Sequence, residues 1–155
     1  MEREEFVKNA RSRLHHYCAR RERSSKELLD KAIELELQEA EAEKILKEFL
    51  ELKIIDDARF ARMMVRSKFL SNKWGKVKIR MSLRTKGISS QLIEEGLKEI
   101  DHDDYLNLIR RLVDNKMPKV KKKGMQKKAH IVSYLRAKGF EDSSVWEIVN
   151  EYQFN

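Results

Sequence analysis

The hexapeptide Leu83-Arg84-Thr85-Lys86-Gly87-Ile88 returns 52 residues later as Leu135-Arg136-Ala137-Lys138-Gly139-Phe140. The correspondence runs back to Lys76/Lys128 and Ile79/Ile131, and forward to Ile93/Val145 and Leu97/Val149. A repeat of that length means a chain assembled from copies of one supersecondary unit, which restricts the fold more than composition does. In both copies the apolar positions recur at helical intervals and stop at Gly, the residue best suited to the left-handed backbone that closes a helix. Ser89-Ser90 and Asp142-Ser143-Ser144 follow as N-cap candidates for the next helix. A fainter third copy lies 51 residues upstream, with Leu28, Ala32, Leu37, Ala42 and Leu46 at the apolar positions. It carries Glu36 where the others carry Gly, so its turn is expected to be built differently.

Helix-start signals mark the rest of each unit. Ser24 with Glu27 three positions on has the capping-box spacing, ahead of Leu28, Leu29, Ala32, Ile33 and Leu35. Asp56 and Asp57 precede the stripe Phe60, Ala61, Met64, Val65 and Phe69, and Asp101 precedes Tyr105, Leu106, Ile109, Leu112 and Val113, where carboxylates favour a helix N-terminus. No segment alternates with period two, and five Gly with one Pro are too few for a turn-rich β protein. The expected fold is all-α: three tandem three-helix, helix-turn-helix-like repeats in an elongated, curved arrangement. The expected units are residues 1–55, 56–100 and 101–155. Residues 115–124, holding the sole Pro and five Lys, read as a linker or loop inserted in the third. A unit of about 45–50 residues has little room for a stable core of its own, so neighbours should support one another.

Charge is segregated along these units. The formal net charge is +8, yet Met1–Asp57 holds 12 basic and 15 acidic side chains. Ala58–Ile93 has ten Lys/Arg and no acid, Glu94–Asp104 has six acids and one Lys, and Tyr105–Phe140 has eleven basic residues against Asp114. Glu141–Asn155 adds four acids and no base. Two blocks of +10 repel themselves unless a polyanion or an acidic partner neutralises them, and nucleic acid is the commonest such partner. Lys76, Arg80 and Arg84 fall at i, i+4 and i+8 of one expected helix, one turn after Lys73, beside an apolar stripe of Ile79 and Leu83. With Lys86 they form one candidate nucleic-acid or filament-binding face. Lys121, Lys122, Lys123, Lys127 and Lys128 form the other. Trp74 could stack on a base, but with Val77 and Met81 it forms a packing stripe and is expected in core or inter-repeat contact, and Trp146 is expected among core residues Val145, Ile148 and Val149.

Chemistry beyond binding finds little support. His15 and His16 point about 100° apart on a helix and converge poorly with Cys18, so no metal or other cofactor is expected. A single Cys excludes an intramolecular disulfide. Asp101-His102-Asp103-Asp104 could ligate Mg²⁺ in a nuclease, but acids in a first helical turn are explained by capping. There is no phosphate-cradling G-x-x-x-x-G-K loop and no nucleophile elbow. The chain is expected to be no enzyme. The start, Met1 to Phe6, is acidic where a secretory leader is basic, and no run is long enough for a membrane span, so a cytoplasmic protein is expected. It is also expected to be a monomer.

The residues Ser25-Lys26-Glu27-Leu28, then Ile55-Asp56-Asp57-Ala58-Arg59-Phe60-Ala61, then Gly75 with Ile79 and Leu83 before Lys86-Gly87-Ile88, form an ordered signature. On these the chain resembles the RecX family, bacterial regulators of the RecA recombinase, from about Arg11 to Val149. It departs from the family at Leu35-Glu36-Leu37, where a Lys-Gly-Phe-like turn is usual, and in the Lys-rich insertion. The resemblance implies a curved row of repeats lying in the groove of a RecA filament on single-stranded DNA. It implies inhibition of strand exchange, ATP hydrolysis and coprotease activity, within homologous recombination, DNA repair and the SOS response. The other reading of the same residues is a helix-turn-helix DNA-binding transcription regulator, acting on double-stranded DNA through a recognition helix.

Overall fold

The computed structural model describes all residues, Met1–Asn155, as nine α-helices with no strand. They are α1 (Glu2–Arg20), α2 (Ser25–Glu34), α3 (Glu39–Glu51), α4 (Asp57–Leu70), α5 (Lys76–Thr85), α6 (Ser90–Leu97), α7 (His102–Lys116), α8 (Gly124–Ala137) and α9 (Asp142–Val149). They follow one another as three three-helix repeats. The accessible surface, 9856 Å², exceeds the roughly 8,200 Å² expected of a compact monomer of this mass, so the molecule is elongated.

The starts of the helices follow their sequence signals. Ser24 accepts from the Glu27 amide while the Glu27 carboxylate accepts from the Ser24 amide, closing the capping box of α2. Asp56, Ser89 and Asp101 cap α4, α6 and α7 through their side chains. The start of α9 differs from expectation. Its N-cap is Glu141, without a side-chain cap bond, and Ser144 is buried one turn inside. The Glu141 carboxylate is engaged elsewhere: it accepts from the Tyr105 hydroxyl.

The turn between second and third helix is the same in every unit, contrary to expectation for the first. Glu36 takes φ 67°, beside 77° at Gly87 and 95° at Gly139. In each case the next amide reaches back five residues: Leu37 to Ala32, Ile88 to Leu83 and Phe140 to Leu135, at 3.1, 3.1 and 3.2 Å. This is the Schellman arrangement, and it drives Leu37, Ile88 and Phe140 into the core. A non-glycine residue pays for left-handed backbone but is not barred from it.

Packing divides the molecule unevenly. Twenty-four buried apolar residues from α4–α9 and their connections form one continuous core, with Phe60, Ile79, Ile93, Tyr105, Ile109, Ile131 and Leu135 among the most enclosed. Nine others, from Ala10 to Ile55, form a separate core for α1–α3. Gly96 lets α6 close on α4, where an added Cβ would lie 3.4 Å from the Ala61 methyl. Between the second and third repeats the backbones meet directly. The Gly75 amide donates to the Lys138 carbonyl (2.8 Å) and the Val77 amide to the Gly139 carbonyl (2.9 Å). The first and second repeats meet through polar groups: the Ser25 amide on Asp57 (2.7 Å), Arg59 on Glu22 (2.8 Å) and Lys86 on Glu27 (3.4 Å).

The stretch 115–124 is more ordered than a linker. Asn115 and Lys116 continue α7, and Met117–Lys119 make a 3-10 turn with Pro118 in its first positions. Val120 is buried against the main core, and the Gly124 amide donates to the Asn155 carbonyl. One apolar anchor among the lysines holds the segment down, a signal that its charge density masks.

Candidate nucleic-acid interface

Helix α5 is oriented by Ile79 and Leu83, both fully buried, which leaves the stripe of Lys76, Arg80 and Arg84 toward the outside. The three do not form one free row. Arg80 donates to Glu94 through Nε (2.7 Å) and Nη2 (3.4 Å). That fork raises the guanidinium pKa and holds the Glu94 carboxyl below its usual range. Lys76 places its ammonium 4.8 Å from the Tyr105 ring centroid, and its amide donates to the Tyr105 hydroxyl. Lys86 turns back to Glu27 in the first repeat. Arg84 and Lys73 are exposed and have no carboxylate partner.

A set of cations without carboxylate partners lies where the second repeat meets the third. Lys68 and Lys78 stand over the Trp74 ring, 5.0 and 4.6 Å from its centroid. Lys116 and Lys138 stand over the Tyr134 ring at 4.8 and 5.8 Å. Lys138 ties the two groups together. Desolvation first, then repulsion from Lys78 and Lys73, lowers its ammonium pKa. None of these five lysines meets a carboxylate, and for Lys68, Lys78, Lys116 and Lys138 an aromatic face supplies the attraction that acids supply elsewhere. Lys73, expected on the face of α5 with Lys76, Arg80 and Arg84, lies at this junction. Lys68, Lys78, Lys116 and Lys138 were missed, because they come from α4, α5, α7 and the cap of α8 and converge only through the Gly75–Gly139 contact. The repeat held one usable signal: Lys138 occupies the place of Lys86, the residue that faces the preceding unit.

The third-repeat lysines form a separate group. Lys121, Lys122 and Lys123 project into solvent between Val120 and α8, and Lys127 is half-buried. Lys128 lies 5.5 Å from the Trp146 centroid and 6.0 Å from that of Phe154. Trp146 is not a core residue. Val145, Ile148 and Val149 take the inner face of α9, and Trp146, one step off that stripe, is 38% exposed beneath Lys128. Trp74 itself packs against the main core, as expected, whereas Val77 and Met81 face outward, at 39% and 60%.

The surface therefore offers ammonium groups held on aromatic rings, suited to attracting and orienting anions. Nowhere do three or more His, Cys, Asp or Glu side chains gather as a metal site would require, and no helix is long and apolar enough to cross a membrane. Fold and surface together define a tandem three-helix-repeat protein that presents unpaired cations at a junction between repeats.

Comparison with known proteins makes that class specific. Residues 56–97 match the family model described as RecX, second three-helix domain. A regulatory protein RecX of Chlorobium phaeobacteroides is 31% identical over 131 residues, covering 84% of this chain and 85% of that protein. A RecX of Clostridium acetobutylicum is 28% identical over 147 residues, covering 92% and 68%. Against a RecX of Oceanobacillus iheyensis, also 28% identical, the match spans half of the relative's length. The crystal structure of RecX from Lactobacillus salivarius superposes with a TM-score of 0.88 at 22% identity, covering 95% and 96% of the two chains. A second RecX crystal structure gives 0.86 at 25% identity, covering 95% and 74%. The chain belongs to the RecX family of regulatory proteins.

Proposed function

We propose that this protein is a noncatalytic modulator of the RecA recombinase. It docks on RecA filaments assembled on single-stranded DNA in the cytoplasm and inhibits their recombinase, ATPase and coprotease activities. The observation that carries the reading is the junction of Lys68, Lys73, Lys78, Lys116 and Lys138, unpaired cations on a RecX fold. A filament on DNA offers phosphate and acidic protein surface along a helical groove. A monomer with three docking units, residues 1–55, 56–100 and 101–155, can meet successive protomers, and several modest contacts then add through effective concentration. Arg84 and Lys121 to Lys123 extend the cationic surface on either side, while Lys76, Arg80, Lys86, Lys127 and Lys128 support it from partly engaged positions.

The test is inhibition of DNA-dependent ATP hydrolysis by RecA filaments. Lys73→Glu combined with Arg84→Glu and Lys138→Gln should raise the half-inhibitory concentration at least about tenfold, the cost of losing two or three charge contacts, with the helical circular-dichroism spectrum unchanged. Equal inhibition by a folded variant would remove the junction from the contact surface. Sequence-selective binding to duplex DNA without recombinase would point to a transcription regulator instead.

A further inference from the structure

The first repeat carries more acid than base, yet α1 keeps its cations in two different states. Arg3 and Arg11 are paired to Glu41 and Glu48 of α3. Arg13 and Arg20 have no carboxylate partner. They sit with His16 and Tyr17 at i, i+3, i+4 and i+7, which is one face of a helix. Together with Lys31 of α2 these four line an open cavity of about 290 Å³ that no acidic residue borders. Its floor is fixed. Arg23, almost fully buried, lies 3.7 Å from the Tyr17 ring centroid and donates through Nε to the Tyr17 carbonyl. The Lys31 ammonium is 5.6 Å from the same ring and shares itself with exposed Glu34 at 3.2 Å.

We infer that the cavity between α1 and α2 is a phosphate-binding site for a nucleic-acid strand, with Arg13, Arg20 and Lys31 as its charged donors and His16 as a further N–H donor. Two guanidiniums free of carboxylates, set beside an ammonium, match the donor demand of phosphate oxygens. The arginines stand about 10 Å apart along the helix axis, longer than one phosphate group, which favours a strand over a free ion. Tyr17 is occupied by Arg23 on its ring and positions the wall; it does not stack a base. The site is independent of the recombinase, because it recognises phosphate directly. It also gives the acidic repeat a nucleic-acid contact of its own, where the charge sum assigns it none.

The test uses the full chain without RecA and a fluorescently labelled oligothymidylate, with anisotropy followed over a salt series. Arg13→Gln with Arg20→Gln should weaken binding about tenfold and make the log–log salt slope shallower by roughly one to two, the signature of lost phosphate contacts. Lys73→Gln with Lys138→Gln serves as the comparison. If it weakens binding while the α1 variant binds as wild type does, the inference fails and the junction stands. Nitrogen-15 spectra of the arginine Nε–H groups separate the ligand sources. Shifts at Arg13 and Arg20 with the oligonucleotide support the strand. Shifts with inorganic phosphate alone, or with neither ligand, overturn it.

Discussion

Glu36 is an exposed residue on left-handed backbone, at the position that the other two units give to Gly. Its side chain makes no hydrogen bond or close ion pair, only a longer-range attraction to Arg3, which binds the Glu36 backbone carbonyl instead. Glu36→Gly should therefore stabilise the protein by about 1 kcal/mol, the steric cost of that backbone for an L-residue less what glycine loses on folding. For a chain of this length that is a rise of about 2–4 °C in melting temperature, readable by calorimetry. The opposite change at the equivalent site should be severe. A Cβ on Gly139 would lie 2.3 Å from the Lys78 Cβ and 2.7 Å from its amide nitrogen, so Gly139→Ala must separate α5 from the cap of α8 and lower the midpoint sharply. The sequence made both glycines conspicuous and hid Glu36, because a turn is recognised by the residue that makes it easy and left-handed backbone stays open to others at modest cost. Trp146 failed for a related reason. Its neighbours Val145, Ile148 and Val149 fix a helix face so narrow that the adjacent position already faces water.

Among the elements, α7 shows best how local signal and tertiary use part company. Its cap at Asp101 and its apolar stripe were legible, since both depend on residues within one or two turns. The partner of Tyr105 was not. Its hydroxyl accepts from the Lys76 amide at the start of α5 and donates to Glu141 at the start of α9, so one phenol joins three helix N-termini. Burial, then the bond to Glu141, pushes the Tyr105 pKa far above its ordinary value. Burial and Asp114 push that of Tyr152 up to about 12. Both groups hold in the fold a proton that the unfolded chain releases near pH 10. Their contribution is complete below about pH 10 and is lost as pH rises through the folded values, so the melting temperature should begin to fall there. Tyr105→Phe should start from a lower midpoint and fall less steeply with alkali. An equal slope in the two proteins would show that Tyr105 does not govern alkaline unfolding.

For the whole molecule, the two cores set the order of events on unfolding. The first repeat has nine core residues and meets the second through hydrogen bonds and ion pairs, one of which leaves a buried oxygen of Glu22 without a partner. The other two repeats share a single core of 24. Both tryptophans, Trp74 and Trp146, lie in that larger part, so fluorescence reports it alone while far-ultraviolet circular dichroism reports every helix. In urea the circular-dichroism change should begin at lower denaturant than the fluorescence change, and salt should widen the gap by screening the ion pairs. Coincident curves would mean one cooperative unit. Three repeats were readable from the sequence, but the fusion of two of them was not, because the contact depends on Gly75 and Gly139 meeting back to back.

That contact has a counterpart. Gly87 lies against Lys26 as Gly139 lies against Lys78, and each lysine precedes its partner by the same interval. In both places the turn between the second and third helices of one repeat is received by the start of the second helix of the one before, so the surface that receives differs from the surface that is received. Such a contact is heterologous, joining two different surfaces, unlike the self-complementary patch of a two-fold dimer. The chain thus carries within its own backbone the kind of contact by which identical subunits line up in a polymer, one unit's turn seated on its neighbour's helix.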